Sequence, residues 1–80
     1  MRLDKFLKVS RIIKRRTVAN EACDAGRVVL NGKVAKASVN VKPGDILEIL
    51  FGTKNVKVEI LDLQDTTKKE EAKELFRYVD

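Results

Sequence analysis

Residues 2–32 read RLDKFLKVSRIIKRRTVANEACDAGRVVLNG, and how this stretch is divided decides the fold. Leu3, Phe6 and Leu7 fall at i, i+3 and i+4, the spacing of one apolar helical face. Asp4 lies in the first turn, where a carboxylate suits the positive end of a helix dipole. Arg2, Lys5, Lys8, Arg11 and Lys14 recur at a constant spacing. On a helix each step of three residues slips by about 60°, so these charges cannot form one straight stripe. The helix is therefore expected to end near Ser10 or Arg11, with the later charges on the turn that follows. Thr17 is the expected N-cap of a second helix over 18–25, and Gly26 the left-handed residue that ends it. Val18, Ala19, Ala22 and Cys23 are its expected inward face. Asn31-Gly32, between Val28-Val29-Leu30 and Lys33-Val34, predicts a hairpin with a type I′ turn.

Beyond this stretch the period changes from helix to strand. Val39 and Val41 alternate as an expected further strand, and Lys42-Pro43-Gly44-Asp45 has Pro and Gly where a type II turn wants them. Residues 46–51 are a near-continuous apolar run suited to a buried strand. Gly52-Thr53-Lys54-Asn55 turns the chain, and Val56, Val58 and Ile60 alternate with Lys57 and Glu59 in a last strand. The tail, 66–79, carries the capping-box pattern Thr67-x-x-Glu70 and an apolar stripe of Ala72, Leu75, Phe76 and Val79. A third, amphipathic helix is expected there, after a hinge near Gln64-Asp65. The expected fold class is α+β: two short N-terminal helices packed on a small, mainly antiparallel sheet of about four to five strands, plus a C-terminal helix. Residues 1–64 form the expected main unit and 65–80 the tail helix, within one domain or loosely attached to it.

Composition narrows the function. A chain of 80 residues makes one small domain, and one this size buries only about 60% of its unfolded surface. There is no His for acid–base work near neutral pH, and Cys23 is alone. Cys23 is expected to be a small core residue. The four glycines are scattered one per turn, so no phosphate loop forms. No enzyme activity, metal or cofactor is expected. The N-terminus runs straight into charged residues, which predicts no signal peptide and no membrane partner, and a cytoplasmic monomer is expected.

The net charge is +5, and its distribution says more than its size. Residues 1–36 hold ten basic and three acidic side chains, a net of +7; residues 37–64 and 65–80 each come to −1. One basic half on a near-neutral remainder marks a polyanion-binding face. Isolated Lys and Arg are usually a solvated surface, but Arg2, Lys5, Lys8, Arg11, Lys14, Arg15 and Arg16 fall within sixteen residues beside a single Asp. Arg15 and Arg16 immediately precede the second helix, whose free N–H groups favour anions, and Arg binds phosphate in a two-pronged fork. Thr17 is first a cap and second a contact. Asn31 is first a turn former, with Arg27 and Lys33 beside it within reach of a nucleic-acid backbone. Asp4 either orients a neighbouring Arg or accepts hydrogen bonds from RNA.

Four aromatic residues, Phe6, Phe51, Phe76 and Tyr78, leave almost none for stacking bases in the basic half. Structured RNA, read by shape and phosphate position, fits better. Two helices around a turn also resemble a DNA-binding helix-turn-helix, although Val18, Ala19, Asn20 and Glu21 offer little to read bases. A protein–protein adaptor, docking through the apolar stripe of the tail helix, is the alternative from another class.

Arg2-Leu3-Asp4-x-x-Leu7, Arg16-Thr17-x-Ala19 and Gly26-x-Val28-x-Leu30-Asn31-Gly32-Lys33, extended by Pro43-Gly44-Asp45-Ile46, resemble the S4-like RNA-binding domain over residues 1–50. Many members of that family carry the domain beside an enzyme. A stand-alone version with a short tail is similar to the ribosome-associated heat-shock proteins, and more so to the short ribosome quality-control (RqcP) branch. That resemblance implies binding to a large ribosomal subunit blocked by peptidyl-tRNA, with contacts to ribosomal RNA and tRNA. It also implies help to C-terminal tailing of the stalled chain, beside a nascent-chain tailing factor that recruits alanyl-tRNA. Family members often carry bulky aliphatics on the second helix where this chain has Ala22 and Cys23, so closer or looser packing is expected there.

Overall fold

Leu3, Phe6 and Leu7 are fully buried on α1 (Leu3–Val9), as their spacing requires. The computed structural model describes residues 1–65 and 67–79. The helix stops where the charge spacing demanded: Ser10 is its C-cap, and Arg11 turns the chain with a left-handed φ of 61°. The Ile13 N–H donates back to the Leu7 carbonyl at 3.0 Å, which folds the basic turn over the helix end and buries Ile13.

α2 (Arg16–Asp24) begins earlier than expected, with Arg15 as its N-cap and no side-chain capping bond. Thr17 is therefore inside the first turn and caps nothing. Ala19 and Cys23, four apart, are the buried face, whereas Val18 is 46% exposed and turns away from the core. A Val18-centred face would aim Arg16 away from α1; the face actually used aims it at Asp4. Gly26 follows the helix at a φ of 74°, as the sequence predicts.

The hairpin forms at the expected register. β1 (Val28–Leu30) pairs with β2 (Lys33–Val34), and Asn31 and Gly32 have φ of 50° and 85°, the two positive values a type I′ turn needs. Asn31 is more than a turn former: its Oδ1 accepts the Ile46 N–H at 2.8 Å and its Nδ2 donates to buried Asp45 at 3.0 Å. β3 (Ile46–Phe51) and β4 (Lys54–Ile60) form a second hairpin across Gly52-Thr53, a tighter turn than expected because Phe51 pairs with Lys54. β3 alternates instead of being buried throughout, with Leu47 and Ile49 inward.

Val39 and Val41 do not make a strand. The Leu3 N–H donates to the Val39 carbonyl at 2.8 Å and the Asp4 N–H to the Ala37 carbonyl at 3.2 Å, while the Val41 N–H donates to Met1 at 2.9 Å. The loop thus satisfies helix-start donors that have no partner within the helix, and only a single bridge, Arg2 to Asn40, is strand-like.

The tail differs most from expectation. Among the described residues of the tail no α-helix forms; a 3-10 turn (Ala72–Glu74) leads into β5 (Phe76–Tyr78), which pairs antiparallel with β4. Thr66, where the helix was expected to begin, and Asp80 lie outside the described residues. Ala72 and Leu75 are both buried, and their three-residue spacing suits a 3-10 turn, in which i and i+3 eclipse, as well as it suits an α-helix. Thr67 does not cap: its hydroxyl donates to the Val9 carbonyl at 2.7 Å. An unpaired β4 edge and two aromatic strand formers, Phe76 and Tyr78, tip the balance to a strand.

The five strands run in the order β2-β1-β3-β4-β5. Val28, Leu47, Ile49, Val58 and Ile60 face one core with α1 and α2. The opposite face carries Glu48 opposite Lys57, and Glu59 paired with Arg77 at 2.6 Å.

Candidate nucleic-acid interface

The site is built on Asp4. Its side chain is 3% exposed and lies between α1 and α2. It takes two bonds from Arg2, from Nε to Oδ1 at 3.2 Å and from Nη2 to Oδ2 at 3.3 Å. Arg16, arriving from the start of α2, places Nη2 at 3.4 Å from Oδ1 and Nε at 3.4 Å from Oδ2. Asn20 Nδ2 donates at 3.4 Å, and the Lys5 N–H at 2.8 Å. Burial on its own raises the Asp4 pKa; the hydrogen bonds from Arg16 and Asn20 and the Arg16 charge outweigh it, so the carboxyl stays below its ordinary range. One buried negative charge thus orients two guanidinium groups that are each nearly half exposed.

Arg2, Asp4, Arg16, Thr17, Asn20 and Glu21 line one open cleft of about 510 Å³. The uncapped start of α2 lies at this cleft, so its first N–H groups and the two guanidinium groups can serve one anion together. Asn20 and Glu21 were not foreseen. The signal for Asn20 was its place four residues after Arg16, which puts both on one side of α2.

Lys8, Arg11 and Lys14 lie at the other end of α1, bordering a separate cleft with Asp65 and Thr67. Arg15 lines neither cleft. Lys5 Nζ pairs with Asp65 at 3.0 Å, and that hydrogen bond, together with the Lys5 charge, holds the exposed Asp65 carboxyl below its ordinary range. Arg27 and Lys33 are exposed next to the β1–β2 hairpin, and Asn31 has its side chain committed to Asp45 and Ile46. The structure thus brings together Arg2, Asp4, Arg16 and Thr17 and sets the other candidates apart.

Residues 1–47 match the family model described as the S4 domain. The chain belongs to the S4-domain family. Within it, this S4 chain is 62% identical over 76 residues to the RQC P-site tRNA stabilizing factor of Bacillus subtilis, a match covering 95% of this chain and 88% of that one. Its fold matches the trimeric structure of Vibrio cholerae heat shock protein 15 with a TM-score of 0.92 at 31% identity, covering 99% of this chain and 81% of that one. The solution structure of a hypothetical protein, HP1423, matches with a TM-score of 0.85 at 32% identity, covering 100% and 98%. The S4 chain therefore also belongs with the RQC P-site tRNA stabilizing factors, as the motifs led us to expect.

Cys23 is the one cysteine of this S4 chain, and it is buried. Burial foremost, then the Asp4 and Asp24 charges, push its pKa up to about 11. The thiol is expected to resist a disulfide reagent at pH 8 in the native state and to react fully once the chain is denatured. A colorimetric thiol titration with and without denaturant checks this; rapid native-state reaction would show that α2 is not seated on the core.

Proposed function

We propose that this chain is a non-enzymatic RNA-binding factor of ribosome quality control that docks on the large ribosomal subunit and holds P-site tRNA. It contacts ribosomal RNA and tRNA together, as a cytoplasmic monomer, and assists tailing of the stalled nascent chain beside a tailing factor. The observation that carries this reading is the pair Arg2 and Arg16 fixed on buried Asp4 at an uncapped helix start. Such a site presents forked donors at a set spacing, which suits phosphates held in a rigid, structured RNA. The names of the relatives support the ribosome and tRNA as the RNA in question.

The adaptor reading loses its docking face, because Ala72 and Leu75 of the apolar stripe are buried in the protein's own core. The DNA reading is disfavoured by the same geometry: Arg16 and Asn20, at the start of the would-be reading helix, are both turned to Asp4.

Sucrose-gradient sedimentation of cell extract at low salt tests the proposal. The protein is expected to travel with large subunits, and enrichment is expected on those that retain peptidyl-tRNA. A protein that stays at the top of the gradient at low salt refutes the reading, and duplex DNA bound as tightly as ribosomal RNA at equal salt favours the DNA alternative.

A further inference from the structure

At the opposite end of α1 from Asp4, a further basic cleft adjoins the one bordered by Asp65 and Thr67 and shares Arg11 and Lys14 with it. Its volume is about 410 Å³; Arg11 and Lys14 line it from the turn after α1, and Lys69, Ala72, Lys73 and Phe76 from the tail. Nothing in the tail's composition announces it, since residues 65–80 have a net charge of −1. The placement of side chains makes the difference. Lys69 and Lys73 line the cleft, whereas Glu70, Glu71 and Glu74 do not.

Two hydrogen bonds hold this end of α1 and the tail together. The Thr67 hydroxyl donates to the Val9 carbonyl at 2.7 Å, and Arg11 Nη2 donates to the Thr67 carbonyl at 3.4 Å. The four cations are exposed, and none of them makes an ion pair among the described residues. Apart from the Arg11 bond to Thr67, the four like charges gather around one opening and repel one another. A bound polyanion would relieve that repulsion. α1 rises only about 10 Å over its seven residues, so a continuous RNA surface can reach both clefts at once.

We infer that this cleft is a second RNA-backbone site, in which Lys69 and Lys73 of the tail, with Arg11 and Lys14, hold phosphates of the same RNA target that the Asp4-centred site grips. The apolar floor of Ala72 and Phe76 accommodates the sugar between phosphates. The inference rests on the RNA-binding reading above and extends it to the tail, which then contributes to binding as well as to the sheet.

The test is equilibrium binding to purified large ribosomal subunits carrying peptidyl-tRNA, measured across a salt series for wild type and for the double variant Lys69→Ala/Lys73→Ala. Both lysines are exposed, so the variant is expected to fold, and circular dichroism checks this. Losing two phosphate contacts is expected to weaken binding and to flatten the slope of log K against log salt by about 1.4 to 1.8. An unchanged slope, with wild type still bound, overturns the second site and leaves the Asp4 site standing. Weakened binding without a change of slope also overturns it, because the lysines would then act through packing. A wild type that binds no subunits at any salt overturns this site and the ribosomal reading together.

Discussion

Arg16→Glu is expected to abolish association with the large subunit and, in addition, to lower the stability of the domain. The first effect follows from the proposed site: Arg16 is one of two guanidinium groups aimed by Asp4 into the cleft at the start of α2. The second follows from geometry. Arg16 Nε lies 3.4 Å from Asp4 Oδ2, so a glutamate in its place brings a carboxylate towards a buried carboxylate. The charge reversal therefore confounds binding with folding, and Arg16→Gln is the cleaner variant. Its amide still donates to Asp4, but the charge and the phosphate fork are gone. Losing a hydrogen bond to a charged group costs about 1.5–3 kcal/mol, so affinity is expected to fall by about ten- to a hundredfold. The salt slope is expected to flatten by about 0.7 to 0.9. The pH dependence has a definite sign. Because the Asp4 pKa is lowered on folding, its contribution is fully present above the unfolded value of about 3.9 and is lost as pH falls through the folded one. Arg16 is thus held in place across the neutral range, and binding should show no step there from this group. Arg16→Gln that binds subunits like wild type would remove Arg16 from the interface.

What could be read from the sequence was local. The three-residue spacing of charge cannot make one stripe at 3.6 residues per turn, and α1 does end at Val9, while Asn31-Gly32 set the hairpin because only certain residues accept two positive φ values. What could not be read depended on partners distant along the chain. Val39 and Val41 alternate like a strand, yet their backbone is claimed by the start of α1, some forty residues back. Asp4 stood out as an acid among bases, but the convergence of Arg16 and Asn20 on it needs the packing of α2 through Ala19 and Cys23. Apolarity alone points Val18 inward, but the smaller Ala19 and Cys23 hold that face and Val18 is exposed. Lys69 and Lys73 were masked by their acidic neighbours in a charge count.

The tail shows the same conflict at its sharpest, and it carries the largest expected effect on stability. As an isolated helix it would be marginal, since segments of fewer than about 12–15 residues are barely helical in water. As a strand it closes the open edge of β4 and seats Leu75, 1% exposed, in the core. A loosely attached tail helix could be removed before Asp65 with RNA affinity intact. The sheet order predicts the opposite: chain ending at residue 64 is expected to lack a cooperative thermal transition and to aggregate through the bared β4 edge. Because loss of a whole segment invites trivial explanations, Leu75→Ala is the sharper measurement. Truncating a fully buried Leu costs about 2–5 kcal/mol, while a chain of this length has a total stability of about 4–12 kcal/mol. The variant is expected to melt roughly 10–30 °C below wild type. Lys73→Ala, two residues away but exposed, should melt within a few degrees of wild type. Were Leu75→Ala to melt with wild type, the Leu75 side chain would contribute nothing to the core, and the tail would be free to act as the loosely attached element that a hinge near Gln64-Asp65 allows.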